Sequence, residues 1–420
     1  MKKNVLIWSG ILVGTLIVGV SLLVISALVP NEPVRNHTLE SAPIFAMPND
    51  LLSFRNDNRY SVQDHFTDAL MAEEAMMIDR DKPFQSVMRC DFPFTGDPIG
   101  DLNKIANGEG ADLPVRDYAR YWHGYLFWLR PMLALASWNT IRKVTLVMLS
   151  LVLLLCISLW SQKKGIAYAM GSCFPILLCC FPQAGISPQL SSVYFVGLIA
   201  SIVLLSVPHI CEDIRWSGGV MLIAGCATSY IDLLTAPMIG LLLPLLTYCM
   251  LAKREKGFYK NVALLLGICF VGYFGFWFMK WVIGTVVTDL NVIESGFHNA
   301  HVRSYGCDDD FYTWTTIFER IGEFLCEPFI YVPILVAGLI WICLIKPKQI
   351  VPNLYLLILA IVPIVWMFVM RQHSAYHFYH LSWRNMIPCF VAVLLFMIET
   401  SRLTDINAVY SRGKHPAAAE

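Results

Sequence analysis

Apolar runs long enough to cross a lipid bilayer recur along this 420-residue chain and constrain its fold more than any other feature. A helix needs about 20 apolar residues to cross a hydrocarbon layer of about 30 Å. Hydrophobic residues make up 56% of the chain and charged residues only 15%, the reverse of what a solvated surface requires. The sequence therefore predicts an all-α polytopic membrane protein of about ten transmembrane helices, at 4–29, 144–161, 166–182, 191–208, 216–234, 236–252, 261–287, 329–345, 353–371 and 384–400.

Lysine and arginine are concentrated in alternate connections between these runs. They precede the first run and follow the second, sixth, eighth and tenth, as in Lys2, Lys3, Lys163, Lys164, Lys253, Arg254, Lys346, Lys348 and Arg402. Short loops rich in these residues stay in the cytoplasm. We therefore expect a multi-pass protein of the cell membrane with both termini in the cytoplasm.

This topology divides the chain into six parts. Two polar segments, 30–142 and 288–328, are predicted to be extracytoplasmic loops, the first carrying juxtamembrane helices. The other four parts are a first transmembrane helix at 1–29, helices two to seven at 143–287, helices eight to ten at 329–401, and a cytoplasmic tail at 402–420. The formal net charge is zero, so no nucleic-acid partner is indicated, and the membrane lipids are the expected surroundings.

The 30–142 loop contains a predicted helix from Asp64 to Met77. Asp64 and Asp68 are four residues apart and would be neighbours on one face of it. Two close carboxylates can separate their proton affinities and give one the raised pKa that a general base needs. The alternative is structural, with Asp64 capping the helix and Asp68 in its first turn.

Farther along the loop, the segment from Asp117 to Trp138 is rich in tyrosine and tryptophan, which concentrate at membrane surfaces. Its apolar part is too short to span and contains a proline, so an amphipathic helix lying in the interface or re-entering it is expected. Arg120, His123 and Arg130 would then lie at head-group depth and bind phosphate. The alternative is ordinary interfacial anchoring.

Ionisable residues in the apolar runs cluster near the same predicted face, which favours a membrane enzyme acting on a lipid-borne group over a channel. The candidates for binding phosphate or sugar are Asp232, Lys280, His373, His377 and Arg384. Asp232 and Lys280 could instead form a structural ion pair. No metal site or cofactor is predicted. The i,i+4 and i,i+3 spacing of the histidines at 373, 377 and 380 would suit a zinc-binding pair, but no HExxH motif is present and no third ligand is evident. A divalent cation is possible without being indicated.

Five segments carry a resemblance to bacterial multi-pass membrane proteins that occur with surface-polysaccharide genes. They are Asp64–Met71, Arg120–Pro131, Ser229–Pro237, Gly275–Trp281 and His373–Arg384. By topology that group resembles the GT-C membrane glycosyltransferases. The resemblance implies transfer of a sugar from a polyprenyl-phosphate donor, at the outer face, to a cell-surface glycan or lipid-linked acceptor. It also implies a catalytic carboxylate in the first outer loop.

In the implied reaction, the donor phosphate lies against Arg120, His123, Arg130 and Arg384 while Asp64 or Asp68 takes the proton of the attacking hydroxyl. One displacement inverts the anomeric centre. The chain departs from the GT-C pattern because no carboxylate pair follows the first span closely, which leaves the base open. Two alternatives remain: a polysaccharide polymerase or ligase using a polyprenyl-diphosphate-linked glycan, and a non-enzymatic lipid or polymer transporter.

Overall fold

A computed structural model describes residues 2–47, 59–179, 181–307 and 311–405 of the chain. The structure is 78% helical. Within the described residues the only strands are the two-residue β1 (Phe92–Pro93) and β2 (Val115–Arg116), which pair in antiparallel fashion. The predicted all-α fold is therefore confirmed, and the predicted tail at 402–420 is described only as far as residue 405.

The helices follow the order of the apolar runs. The first helix, α1, leads to five helices of the first polar segment: α1 (Lys2–Ala27), α2 (Asn31–Phe45), α3 (His65–Met76), α4 (Pro83–Arg89), α5 (Pro98–Ala106) and α6 (Leu126–Leu135). The next seven are α7 (Trp138–Lys163), α8 (Ile166–Leu178), α9 (Phe181–Ile186), α10 (Pro188–Ser206), α11 (Ile214–Ile231), α12 (Pro237–Leu251) and α13 (Phe258–Val287). The last six are α14 (Val292–Tyr305), α15 (Trp314–Leu325), α16 (Pro328–Leu344), α17 (Ile350–Val369), α18 (Arg371–Tyr376) and α19 (Ile387–Glu399).

The predicted count of ten spans is not supported. Among the described residues, six helices are long and apolar enough to cross a membrane, or seven if the bent pair α15 and α16 forms one broken span. Each of the ten apolar runs does become a helix, but α8, α12 and α16 have only 13, 15 and 17 residues. At 1.5 Å per residue, the 13 residues of α8 rise about 20 Å, less than the hydrocarbon thickness.

Small residues bring α11 close to its neighbours and lower its own hydrophobicity. A Cβ atom added at Gly225 would lie 2.2 Å from the Cys269 carbonyl oxygen of α13. This close approach is typical of packed membrane helices, in which glycine lets backbones meet. With these small residues and several polar ones, α11 is not among the six candidate spans, although it has 18 residues.

The helix bundle has two chemically different ends. Trp8 donates to the Arg215 carbonyl at 2.9 Å and Tyr230 donates to the Gly19 carbonyl at 2.7 Å, so α1 and α11 run parallel. The end at which α1 and α11 finish, which we call the loop end, carries 28–47, 59–137, 232–236, 288–307 and 311–327. The opposite end carries 207–213, 252–257 and 345–349, and we call it the basic end.

The first polar segment is tied to the bundle rather than loosely attached. The Trp122 ring stacks on Phe276 of α13 at 4.8 Å, and its indole nitrogen donates to the Phe276 carbonyl at 2.8 Å. The predicted 64–77 helix is confirmed as α3, whose residues from Asp68 to Met76 are all buried. The short apolar helix predicted after Asp117 is present as α6 and packs against α2.

Candidate functional site at the loop end

Asp64 and Asp68 lie at the start of α3 but have different surroundings. Asp64 is the N-cap: it accepts from the Thr67 amide at 3.0 Å and from the Thr67 hydroxyl at 2.6 Å. The amide of Gln189, the second residue of α10, donates to Asp64 at 2.7 Å. Asp64 remains partly exposed, whereas Asp68 is completely buried. Asp64 can therefore cap α3 and still be reached by a substrate.

Asp68 forms a buried ion pair with Arg142 near the start of α7, with an N–O distance of 2.9 Å. Burial raises the pKa of Asp68 to about 6, although the Arg142 guanidinium opposes this shift. Arg142 is also within 3.1 Å of the Gln63 amide oxygen, once that amide is oriented to accept. This carboxylate is thus committed to a partner, and Asp64 is the more accessible of the two.

Two histidines, His373 in α18 and His377 at its end, lie at the same end of the bundle. The rings of His373 and His377 are 4.6 Å apart. His373 Nε2 lies 2.8 Å from the Leu234 carbonyl and Nδ1 lies 2.8 Å from Arg303, so Nε2 carries the proton and Nδ1 accepts. Burial and Arg303 lower the pKa of His373 well below its usual value, and they lower that of His377 to about 4. Both rings are neutral at physiological pH.

Asp232 ends α11 as its C-cap, within the same region. One carboxylate oxygen accepts from the Thr235 amide at 2.9 Å and from its hydroxyl at 2.6 Å. The other oxygen is buried and has no hydrogen-bond partner, and the same is true of the Tyr121 hydroxyl. The turn between α11 and α12 is strained, because Leu234 has φ +68°. The Leu234 carbonyl accepts from His373.

Two arginines from distant segments lie over one tyrosine ring. The guanidinium carbons of Arg303 and Arg120 are 5.4 and 5.8 Å from the centre of the Tyr121 ring. Neither arginine forms an ion pair within the described residues, and Arg120 Nε is buried without a partner. Two unneutralised guanidinium groups on a shared aromatic surface are suited to hold an anion.

Other predicted binding residues are engaged elsewhere. Arg130 is completely buried and donates to the carbonyls of Ser26, Val29 and Ala75 and to the Asn31 side chain. It therefore fastens α6 to the end of α1 and to α3. Its donors already have partners, which argues for a structural role.

Lys280 is completely buried in α13 and donates to the Met88 carbonyl at 2.7 Å. The alternative ion pair between Asp232 and Lys280 does not form, since each is bonded to other groups. His123 is bonded to Glu74 at 3.1 Å and to the Tyr118 carbonyl at 2.8 Å.

Arg384 is buried after α18, and its Nη1 donates to the His380 carbonyl. Its Nε and Nη2 atoms have no hydrogen-bond partner, and the guanidinium lies 4.6 Å from the Trp383 ring centre. A buried guanidinium with free donors is available for an anion, so Arg384 keeps the chemistry predicted for it.

Four participants were not among the predicted site residues: Arg142, Gln189, Arg303 and the ring of Tyr121. Arg142 stood at the edge of a predicted loop, and Gln189 in a short connection without lysine or arginine. Only the tertiary fold brings the first two to α3 and the last two to each other. Comparison with protein-family models, with curated proteins and with solved structures gave no match, so function is argued from this site alone.

Proposed function

We propose that the chain is a membrane glycosyltransferase that moves a sugar from a polyprenyl-phosphate donor to a cell-surface glycan or lipid-linked acceptor at the loop end. The observation that carries the proposal is the pair Arg120 and Arg303 over Tyr121, at the same end of the bundle as the partly exposed carboxylate Asp64. An anion site and a base at one end of a membrane bundle are what this reaction requires.

Arg120 and Arg303 bind the phosphate of the donor. Arginine donates two parallel hydrogen bonds to a phosphate, and its charge stabilises the negative charge that the leaving phosphate gathers. The buried oxygen of Asp232 without a partner lies in the same region and accepts a sugar hydroxyl. Arg384 supplies further donors if the phosphate lies nearer to α18.

Asp64 acts as the base. The acceptor hydroxyl gives its proton to Asp64 as its oxygen attacks the anomeric carbon, and the bond from that carbon to the phosphate breaks. The phosphate leaves as the anion, so no general acid is needed. Asp68 and Arg142 hold the start of α3 in place, and Gln189 orients the Asp64 carboxylate.

The test is transfer by full-length protein purified in detergent, with a labelled polyprenyl-phosphate sugar. We expect Asp64→Asn to lower transfer about 100-fold or more, the usual contribution of a general base. Asparagine is also a good N-cap, so α3 is preserved. Asp81→Asn is the matched control, because Asp81 is an exposed carboxylate in the same polar segment. Full activity of Asp64→Asn would remove this base from the mechanism.

A second assay concerns the anion. Arg303→Gln should weaken donor binding at least tenfold, because a charge-assisted bond to phosphate contributes about 1.5–3 kcal/mol. A polyprenyl-diphosphate glycan is assayed in parallel. Turnover of that donor alone would favour the polymerase or ligase alternative. Movement of lipid across vesicles without any transfer would favour a transporter.

The proposal includes a topology in which the loop end faces outward and both termini are cytoplasmic. Cys307 and Cys326 are exposed free thiols beside α14 and α15. A membrane-impermeant maleimide should therefore label them on intact cells, and the double variant Cys307→Ser with Cys326→Ser should lose that label. Labelling only after lysis would reverse the orientation.

A further inference from the structure

Three potential metal ligands meet in the interior of the first polar segment. Glu74 comes from α3, Cys90 caps the end of α4, and His123 lies in the stretch before α6. Their ligand atoms all lie within 4.8 Å of one another, and all three side chains are buried. None of them takes part in the proposed transfer.

The hydrogen bonds of His123 fix the state of its ring. Nε2 lies 2.8 Å from the Tyr118 carbonyl oxygen, which can only accept, so Nε2 carries a proton. Nδ1 then faces Glu74 Oε2 at 3.1 Å and the Tyr125 hydroxyl at 2.9 Å. In metal sites, a histidine typically donates the N–H of one ring nitrogen to a carbonyl oxygen and binds the metal through the other ring nitrogen.

Two further features are consistent with a bound ligand. Glu74 Oε1 is buried and has no hydrogen-bond partner. Cys90 and His123 have φ angles of +50° and +51°, in the left-handed region that residues other than glycine seldom occupy. Such strain persists where the surroundings demand it, and here it affects two of the three potential ligands.

We propose that Glu74, Cys90 and His123 bind a zinc ion, with the adjacent Tyr125 hydroxyl oxygen as the fourth ligand. A thiolate, an imidazole and a carboxylate are the ligand types that zinc takes in proteins. The ion joins α3, the end of α4 and the stretch that carries Arg120 and Tyr121. The site is structural, because the ligand side chains are buried and no substrate reaches the ion. This departs from the sequence-based expectation of no metal.

Zinc binding at this position is coupled to the loss of protons from two of its ligands. Burial raises the pKa of the Glu74 carboxyl and that of the Cys90 thiol. A bound divalent cation reverses this preference and holds both groups in the deprotonated form, releasing protons as it binds. Lys280 donates to the Met88 carbonyl and thereby fixes the turn that presents the Cys90 thiol.

The test is the metal content of full-length protein purified without chelator and then exposed to zinc and desalted. We expect about one zinc per chain for the unaltered protein and below about 0.1 for Cys90→Ser and for His123→Asn, because each removes a ligand. Cys326→Ser and His301→Asn are the matched controls, since both residues lie outside the cluster and are exposed. They should retain the metal.

Replacing zinc by cobalt(II) gives a readout that requires no change to the ligands. A cobalt–thiolate bond produces a charge-transfer absorption band, which should appear in the unaltered protein and in Cys326→Ser. Chelator should also lower the unfolding temperature of both. Zinc below about 0.1 per chain together with no thiolate band would overturn the proposal and leave a hydrogen-bonded Glu74–His123 pair. Equal zinc in Cys90→Ser would also overturn it.

Discussion

Ion pairs at the two ends of the bundle differ in how deeply they are buried, although the loop end also holds an exposed pair, Arg59 with Glu323. At the loop end, the pairs Asp68–Arg142 and Glu74–His123 have side chains at most 9% exposed. At the basic end, Lys253 and Glu212 have side chains 70% and 58% exposed. A buried charge must find specific partners, whereas an exposed one is solvated by water. Partners and burial, rather than the number of charges, therefore separate a candidate site from an ordinary surface.

The largest expected effect concerns Arg130. Arg130→Ala removes the donors to Ser26, Val29, Ala75 and Asn31 and leaves buried acceptors without partners. We expect a loss of about 3–5 kcal/mol in the free energy of unfolding, measured in detergent. Arg130→Lys should recover only part of it, because one ammonium cannot reach all four acceptors. Unchanged stability in both variants would contradict the structural role.

Much of the fold was predictable because apolar run length and helical periodicity are local properties. The ten apolar runs and α3, with Asp64 at its start, were found in this way. The span count failed because α8, α12 and α16 have only 13, 15 and 17 residues and α11 is not among the candidate spans, although each apolar run still forms a helix.

The candidate site was predicted in part. Sequence located Asp64, Asp232 and the two histidines, which the fold brings to one end of the bundle. It could not show that Arg130 is surrounded by carbonyls or that Arg303 shares the Tyr121 ring with Arg120. These contacts join residues far apart in the chain, and no periodic pattern encodes them.

The Asp68–Arg142 pair offers the next largest effect. A double-mutant cycle with Asp68→Asn and Arg142→Met should give a coupling free energy of about 2–3 kcal/mol, since the two side chains are buried and in contact. Thermal and denaturant unfolding of the four proteins supplies the measurement. A coupling near zero would mean that this pair behaves like an exposed one, and the contrast between the ends would fail there.

His377 makes the stability of the loop end depend on pH. Its pKa is lowered to about 4 in the folded protein, chiefly by burial, while Arg303 and His380 lower it further and Asp64 opposes them. The unfolded chain binds a proton near pH 6.5, so the stability that the neutral ring contributes is present above that pH and is lost as the pH falls toward 4.

Between pH 7 and 5, the unaltered protein should therefore lose about 1–2 kcal/mol more than His377→Gln, with partial exposure keeping the effect below its full value. Asp68 titrates in the opposite sense in both proteins and cancels from the difference. Unfolding midpoints at pH 5, 6 and 7 provide the check. Parallel curves for the two proteins would show that the ring titrates as it does in water.

The smallest effect is expected for the exposed ion pair at the basic end. Lys253 and Glu212 are 3.1 Å apart, but both side chains are mostly exposed. A double-mutant cycle with Lys253→Met and Glu212→Gln should give less than about 0.5 kcal/mol, because water and ions screen such a pair and fixing two long side chains costs entropy. The coupling should decrease further in 1 M salt. A coupling above about 2 kcal/mol that resists salt would instead place this pair in a buried environment like that of Asp68 and Arg142.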